Sequence, residues 1–454
     1  MDIKSLRPIL DPIKPRVYIE TYGCQMNVND SEVILSILEK NGYSLTEKIE
    51  EAKLILVNTC SIRENAEQRI WGRIEQFKLI KRKKTDLIVG IVGCMAERLK
   101  DKLLEGKVVD LVAGPDSYRN LPELLKNLRP DNPQINVLLS HEETYADISP
   151  VRMDKNGVSA FISIMRGCNN VCSFCVVPFT RGAERSRDPK SILREAQELF
   201  AHGYKEVNLL GQNVDSYHWK DKTNPENDVS FPELLEEIAK ISPELRVRFS
   251  TSHPKDISNE VIYTMAMYDN ICKHIHLPVQ SGSTELLNKM KRKYTREWYL
   301  ERVSKIRSVI PDCGLTTDVI AGFSGETQAD HDDTLSLMEA VCFDSAFMFQ
   351  YSERPGTLAS KRYPDDVEDA EKTKRLNEII ALQNRMSNKS NEAEIGKTHL
   401  VLVEGRSKKS EDALCGRASN NKMCVFPKAN YKTGDYVKVV VESCSSATLI
   451  CRLA

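Results

Sequence analysis

Three closely spaced cysteines are the residues of this sequence best suited to chemistry. Cys168, Cys172 and Cys175 stand in the stretch MRGCNNVCSFCVVPFTRG with the spacing C-x-x-x-C-x-x-C. A structural zinc site ordinarily uses four ligands, and no fourth donor stands at zinc-motif spacing. A [4Fe–4S] cluster takes four thiolates when fully ligated, so three thiolates leave one iron open to the amine and carboxylate of a small molecule. The spacing therefore predicts an iron–sulfur cluster with one open position.

A second group of three cysteines is widely spaced but shares one topological position. Cys24, Cys60 and Cys94 each end a β-rich run, RVYIETYGC, KLILVNTC and DLIVGIVGC, and a helical stretch follows each run. Parallel sheets bind ligands beyond the carboxyl ends of their strands, so the three thiols should meet at one edge. The alternative is that they are three cysteines that merely pack well. For the helix after Cys24, Asp30 or Ser31 is the expected N-cap.

The elements that must position these cysteines fall into three regions of an α/β protein. Residues 14–136 alternate strand and helix, which predicts a Rossmann-like parallel sheet. Residues 154–390 contain about six β/α units, fewer than the eight of a closed barrel, so a partial barrel is expected. Residues 393–454 alternate in the manner of strands and predict a small antiparallel barrel.

Composition narrows the class of protein. Hydrophobic residues make up 41% and charged residues 28% of the 454 residues, as in ordinary soluble proteins. The sequence has no apolar run long enough for a membrane span and no secretory signal, so a cytoplasmic protein is expected. Thiols stay reduced there, which favours metal binding or catalysis over disulfides. The net charge of −1 means that any nucleic-acid site must be built from local basic patches.

Several motifs resemble those of the radical S-adenosylmethionine (SAM) enzymes. The aromatic residue Phe174 completes C-x-x-x-C-x-aromatic-C, and TYGCQMN, NTCSIRENAEQ, VGCMAE, LLGQNVDSY, HLPVQSGS and FQYSERPGT resemble the methylthiotransferase branch along nearly the whole chain. The sequence departs from the usual pattern at Ala183 and Ser324, where an acidic residue and a proline are common. The C-terminal region resembles the RNA-binding barrel called TRAM.

The resemblance implies two [4Fe–4S] clusters, an activity and a set of contacts. Cys168, Cys172 and Cys175 would hold the radical SAM cluster, and the N-terminal cysteines an auxiliary one. The implied reaction uses two SAM molecules, a radical step and sulfur from the auxiliary cluster to methylthiolate C2 of N6-isopentenyladenosine beside the tRNA anticodon. Arg166 is expected to face phosphate or the cofactor carboxylate. Expected SAM contacts are Phe174, Gln212, Asn213, Ser250, Ser252, Gln280 and Gly322. Expected RNA contacts are Arg181, Lys408, Lys409, Arg417 and Lys422.

The implied partners are a tRNA anticodon stem-loop with a prenylated adenosine, a flavodoxin-like or ferredoxin-like electron donor, and a sulfur donor or cluster-assembly protein. A monomer that does not bind membranes is expected. Within the family, threonylcarbamoyladenosine of tRNA and a ribosomal protein aspartate are alternative targets. An alternative of another class is a non-catalytic metal-binding module that binds RNA.

Overall fold

The computed structural model describes residues 14–61, 64–129, 131–154 and 156–454. The protein has the predicted α/β fold and divides into two compact units. The first contains the described residues up to Met153 together with Arg166–Asn169 and Val176–Arg187, and the second contains the other described residues. In the described part of the chain, no helix is both long enough and apolar enough to cross a membrane.

The first unit is built on a six-stranded sheet. Its strands are β1 (Arg16–Thr21), β2 (Ser44–Leu45), β3 (Leu54–Thr59), β4 (Ile88–Gly93), β5 (Leu111–Ala113) and β6 (Gln134–Asn136), and its helices are α1 (Gln25–Lys40), α2 (Glu64–Lys83), α3 (Cys94–Leu99) and α4 (Leu121–Asn127). The order is β2-β1-β3-β4-β5-β6, and every pairing is parallel. Alternate residues of β3 enter two different apolar clusters, so both faces of this strand are covered, as parallel sheets require.

The start of α1 differs from the sequence expectation. The helix begins at Gln25 with Cys24 as its N-cap, and Asp30 and Ser31 are buried inside it. Asp30 and Ser31 are therefore interior residues of the helix and not its N-cap, because buried partners form hydrogen bonds with their side chains. Ser31 Oγ lies 2.7 Å from Thr21 Oγ1 and accepts from the Asn58 amide at 2.9 Å.

The second unit contains an open barrel. Its strands are β7 (Ser159–Ser163), β10 (Glu206–Leu210), β13 (Arg246–Ser250), β14 (His274–His276), β15 (Gly314–Ala321) and β16 (Ser345–Gln350), with the short strands β11 (His218–Trp219) and β12 (Val229–Ser230) forming a separate pair. The helices are α6 (Pro189–Ala201), α7 (Phe231–Ala239), α8 (Asn259–Met267), α9 (Thr284–Lys289), α10 (Arg296–Val309), α11 (Gln328–Val341), α12 (Leu358–Arg362) and α13 (Asp369–Glu392). The six long strands form two parallel sheets, in the orders β13-β10-β7 and β14-β15-β16. The segment with the cysteine motif contains β8 (Met165–Arg166), α5 (Val177–Arg181) and β9 (Arg185–Ser186), with β8 and β9 paired. Of these elements, α5 and β9 belong to the first unit.

The C-terminal strands close into a small barrel, as predicted. They are β17 (Thr398–Arg406), β18 (Ala413–Arg417), β19 (Met423–Pro427), β20 (Tyr436–Cys444) and β21 (Leu449–Leu453). Within the second unit, this barrel contacts two buried arginines of β13. Arg246 donates to the carbonyls of Arg417 and Leu400 at 2.7 and 3.1 Å, and Arg248 donates to the carbonyl of Ala418 at 2.8 Å.

Candidate active site

The N-terminal cysteines occupy matching ends of three neighbouring strands. Cys24 follows β1 and caps α1, Cys60 comes directly after β3, and Cys94 is the first residue of α3 after β4. The Cys24 and Cys60 segments approach closely at Gly23, where an added Cβ would lie 2.6 Å from Cys60 Cβ. A glycine is needed there, so the chain itself specifies this close approach.

A pair of buried asparagines joins the first two cysteine segments. Asn27 accepts from the Cys24 backbone N–H at 3.2 Å through Oδ1, and its amide donates to Asn58 Oδ1 at 3.1 Å. The Asn58 amide donates in return to the Asn27 carbonyl at 2.8 Å. Because both amides are fully buried and paired, they fix how the Cys24 turn sits against the end of β3.

The thiols at this edge differ in their electrostatics. Cys24 is exposed, whereas Cys60 and Cys94 are buried. A hydrogen bond with Cys60 lowers the pKa of Cys24 to about 6, with further help from the positive charge of Arg181. Burial raises the pKa of Cys94, and Arg181 opposes that effect. Arg181 is thus a neighbour of both thiols and favours their thiolate forms, which are the forms that bind metals.

Arg181 belongs to a buried ionic network in the first unit. Asp30 accepts from Arg166 and from Arg181, each at 2.8 Å. The two arginines hold the pKa of Asp30 below its ordinary value, although burial alone would raise it. Arg185 donates to both carboxylate oxygens of Asp116 at 3.0 Å. The predicted RNA contact by Arg181 is wrong, because its side chain is 4% exposed and its guanidinium is bound internally. Arg166 is equally buried and donates to Asp30 and to the Pro115 carbonyl, and the expectation that it faces phosphate or the cofactor carboxylate stays a prediction.

The closely spaced cysteines lie on a loop held by backbone hydrogen bonds. The Cys168 N–H donates to the Gly182 carbonyl at 3.2 Å. Further along, the Ser173 N–H donates to the Met290 carbonyl at 2.9 Å and the Ser173 carbonyl accepts from the Ala359 N–H at 2.7 Å. Phe174 packs edge-to-face on Phe323, with ring centroids 6.4 Å apart. Phe174 therefore has a packing role beside the cysteines. Its contact with SAM stays a prediction.

Cys172 lies beside two nitrogen-bearing side chains that the sequence motifs did not single out as site residues. Arg292 Nη1 donates to Cys172 Sγ at 3.2 Å, and His253 Nε2 lies 4.0 Å from the same sulfur. Burial, and next the charge of Arg292, lower the pKa of His253 to about 3. The ring is therefore neutral at neutral pH.

Polar groups without partners collect just beyond β10 and β13. Within the part of the chain that the structure describes, three side-chain oxygens in this region are shielded from solvent and have no hydrogen-bond partner: Gln212 Oε1, Asn213 Oδ1 and Thr251 Oγ1. The buried Asp215 carboxylate and Ser252 hydroxyl lie beside them and interact with each other. Burial raises the pKa of Asp215 to about 7. Buried polar groups are ordinarily paired, so this group suits a polar ligand. Asp215 and Thr251 were not predicted as site residues, although Asp215 stands in the motif LLGQNVDSY.

The other predicted SAM contacts are placed at strand ends. Ser250 ends β13, and its carbonyl accepts from the Gly211 N–H at 3.1 Å. Gln280 bridges to Val319 of β15. Gly322 follows β15, but its N–H donates to Glu326 at 2.7 Å. The backbone of Gly322 is therefore engaged within the protein.

The predicted RNA contacts of the C-terminal barrel divide into exposed and buried residues. Lys408 and Lys409 are exposed, and Arg417 is partly exposed and paired with Glu404 at 2.7 Å. Lys422 is buried, and its ammonium lies 2.7 Å from Asp344 and 2.8 Å from Asn391 Oδ1. The prediction for Lys422 is wrong, because this lysine holds the barrel to α13 and β16.

Both candidate sites combine cysteines with a nearby arginine. Among the described residues, no group of three or more His, Cys, Asp or Glu side chains is arranged to hold one metal ion. Each site instead offers three cysteines, with Arg181 near one set and Arg292 at the other. Thiolates are the ligands of iron–sulfur clusters, and the adjacent arginines offset the negative charge of such a cluster.

Known proteins match the chain along nearly its whole length. Residues 16–114 match the family described as "Uncharacterized protein family UPF0004", residues 162–338 the Radical SAM superfamily, and residues 392–453 the TRAM domain. The tRNA-2-methylthio-N(6)-dimethylallyladenosine synthase of Amoebophilus asiaticus is 56% identical over 448 residues, covering 96% of this chain and 92% of that protein. The protein of the same name from Bacteroides thetaiotaomicron is 57% identical over 434 residues, covering 96% and 95%. The chain belongs to this synthase family.

Membership of the synthase family confirms the family predicted from the motifs. As a radical SAM enzyme, the chain uses SAM and a [4Fe–4S] cluster. Among solved structures, the radical SAM methyltransferase TsrM from Kitasatospora setae matches with a TM-score of 0.55 at 16% identity, covering 74% of this chain and 73% of that one. The radical SAM enzyme OxsB matches with a TM-score of 0.53 at 14% identity, covering 82% of this chain and 56% of that one. These two matches confirm the fold class.

Proposed function

We propose that this protein methylthiolates C2 of N6-dimethylallyladenosine beside the anticodon of tRNA. The observation that carries the proposal is the identity of 57% over 96% of the chain to a synthase of that name. The shared name favours dimethylallyladenosine over threonylcarbamoyladenosine or a ribosomal protein aspartate. The C2–H bond is unactivated, so acid–base catalysis offers little, and a bound [4Fe–4S] cluster with SAM supplies the radical chemistry.

In this proposal, Cys168, Cys172 and Cys175 hold the radical SAM cluster. The unpartnered oxygens of Gln212, Asn213 and Thr251 bind SAM, since a ligand rich in N–H and O–H donors satisfies them. The neighbouring Asp215 and Ser252 side chains complete this polar group. Ser250, Gln280, Gly322 and Phe174 complete the walls of that pocket. Asp215 accepts a hydrogen bond as a carboxylate, or donates one when protonated.

Cys24, Cys60 and Cys94 hold a second [4Fe–4S] cluster that is the source of the sulfur. The supporting observations are their shared strand ends, the contact at Gly23 and the lowered pKa of Cys24. Asp30 orients Arg181 beside these thiols through the 2.8 Å hydrogen bond. A second SAM molecule provides the methyl group.

The tRNA-binding residues are Lys408, Lys409 and Arg417 of the C-terminal barrel. Contacts of this type position the RNA through phosphates and carry no sequence information. We assign residues 14–136 to the auxiliary-cluster domain, 154–390 to the radical SAM domain and 393–454 to the TRAM domain. The enzyme acts as a cytoplasmic monomer with a flavodoxin-like or ferredoxin-like reductant and a sulfur donor or cluster-assembly protein.

The test is nucleoside mass spectrometry of tRNA from cells that lack this gene and express either the parent or Cys24→Ala. The parent should restore the methylthiolated nucleoside, and Cys24→Ala should accumulate the dimethylallyl precursor. Purified Cys24→Ala, reconstituted and reduced, should still release 5′-deoxyadenosine from SAM. Methylthiolated product from Cys24→Ala would remove the sulfur role from the N-terminal site. If threonylcarbamoyladenosine were the only nucleoside that changed, the assignment of dimethylallyladenosine as the substrate would be wrong.

A further inference from the structure

Cys172 receives a charged N–H donor from a buried arginine. Arg292 Nη1 lies 3.2 Å from Cys172 Sγ. Neutral oxygens of the protein hold the rest of the guanidinium: Nη2 donates to the Pro278 carbonyl at 2.9 Å, and Nε donates to the Tyr294 hydroxyl at 3.0 Å. Arg292 is 5% exposed, so its contacts fix both its position and the direction of its third donor.

His253 offers a second N–H to the same sulfur. The Lys255 backbone N–H donates to His253 Nδ1 at 3.2 Å. In the neutral ring, Nδ1 is therefore the acceptor and Nε2 carries the proton. Nε2 is the atom 4.0 Å from Cys172 Sγ, and the ring is held edge-on against Tyr294 with centroids 5.9 Å apart. Tyr294 thus supports both donors.

We propose that Arg292, assisted by His253, is a positioning residue that raises the reduction potential of the radical SAM cluster through Cys172. This inference rests on the proposed radical function and assigns a further role within that site. Hydrogen bonds to cluster sulfurs and nearby positive charge stabilise the reduced cluster, which carries one more negative charge. The charge on Arg292 is only weakly screened, because its other hydrogen bonds go to neutral oxygens and the residue is shielded from water.

The experiment isolates the radical SAM cluster from the other thiols. Full-length protein with Cys24, Cys60 and Cys94 all changed to Ala is reconstituted anaerobically. The midpoint potential of the remaining cluster is then measured by electron paramagnetic resonance during a redox titration, without SAM or tRNA. Arg292→Met removes the charge and the donors at similar volume, and Arg292→Lys keeps the charge. The matched control is Arg302→Met, which changes a partly exposed arginine that donates to Asn259.

Arg292→Met should lower the midpoint potential, so that the ratio of reduced to oxidised cluster falls at least tenfold at the parent's midpoint. This corresponds to about 59 mV for a one-electron couple. Arg292→Lys should give a smaller fall, His253→Leu a smaller fall than Arg292→Met, and Arg302→Met none. Iron content and the melting temperature report whether each variant keeps its cluster and fold.

A parent-like midpoint in cluster-loaded Arg292→Met would overturn the proposal. If Arg292→Met loses its cluster, the midpoint potentials of Arg292→Lys and Tyr294→Phe are compared with the parent's. Parent-like midpoint potentials in both variants would also overturn the proposal. The readout uses no tRNA and requires no methylthiolation. A wrong assignment of substrate would therefore leave this result intact, whereas a wrong role for Arg292 would leave the tRNA result intact.

Discussion

The split between exposed and buried lysines of the C-terminal barrel gives a sharp prediction about tRNA binding. Lys408 and Lys409 are exposed, whereas the Lys422 side chain is 7% exposed and paired with Asp344. Each phosphate contact contributes about 0.7 to 0.9 to the slope of log affinity against log salt. The double variant Lys408→Ala/Lys409→Ala should therefore lower that slope by about 1.5 and weaken binding most at low salt.

Lys422→Met serves as the matched comparison. It leaves the slope unchanged because the ammonium is already bound to Asp344, Ser390 and Asn391. It instead leaves a largely buried carboxylate without its cation, which costs about 3 kcal/mol of folding free energy. The assays are fluorescence anisotropy with an anticodon stem-loop at four salt concentrations and urea denaturation of both variants. The reasoning is refuted if Lys422→Met lowers the slope at unchanged stability while the double variant keeps the parental slope.

Three further predictions concern buried charge and the N-terminal thiols. Arg248→Met should destabilise the protein by about 3–5 kcal/mol, since Glu206 loses a partner at 2.7 Å. Arg248 holds the pKa of Glu206 below its ordinary value of 4.5 against the effect of burial. This stabilisation is therefore present above about pH 4.5 and is lost as the pH falls through the lowered pKa. Urea denaturation should show the difference in stability between variant and parent closing on acidification. In cluster-free protein, the rate of Cys24 alkylation, followed by mass spectrometry over time, should increase with pH with a midpoint at about pH 6. A midpoint near the ordinary pKa of a thiol would contradict the hydrogen bond with Cys60. Asp30→Asn should leave Arg181 without its carboxylate and reduce the iron bound by the N-terminal site, whereas an unchanged iron content would remove Asp30 from that role.

The sequence predicted the cysteine positions well because they depend on local pattern. Alternating strand and helix signals place a residue after each strand, and parallel pairing then brings those residues to one edge. Predicting that Cys24, Cys60 and Cys94 share one edge of the sheet required no information on tertiary contacts beyond that rule. The same reasoning placed Gln212 and Ser252 beyond strand ends, where their side-chain oxygens are shielded from solvent.

The predictions that proved wrong depended on partners far away in the sequence. Arg181 pairs with a carboxylate 151 positions earlier, and Lys422 pairs with Asp344 of the preceding domain. A cation in a basic stretch has the same local sequence whether it faces solvent or a buried acid. The prediction of Asp30 as an N-cap was wrong for a related reason. An acidic residue near the start of a helix favours an N-cap, and the sequence does not show its buried arginine partners.

The two cysteine sites share the use of a buried arginine but differ in how its charge is balanced. Arg181 shares Asp30 with Arg166, so a carboxylate already offsets part of the positive charge near the N-terminal thiols. Arg292 is held by the Pro278 carbonyl and the Tyr294 hydroxyl, which are neutral. A site that must accept an electron benefits from a less compensated cation, because the reduced state carries the additional negative charge. A site that donates sulfur needs thiolate ligands and a fixed geometry, which the Asn27–Asn58 pair and Gly23 provide. The charge balance therefore agrees with the proposed assignment of electron entry to the site at Cys172 and of sulfur supply to Cys24, Cys60 and Cys94.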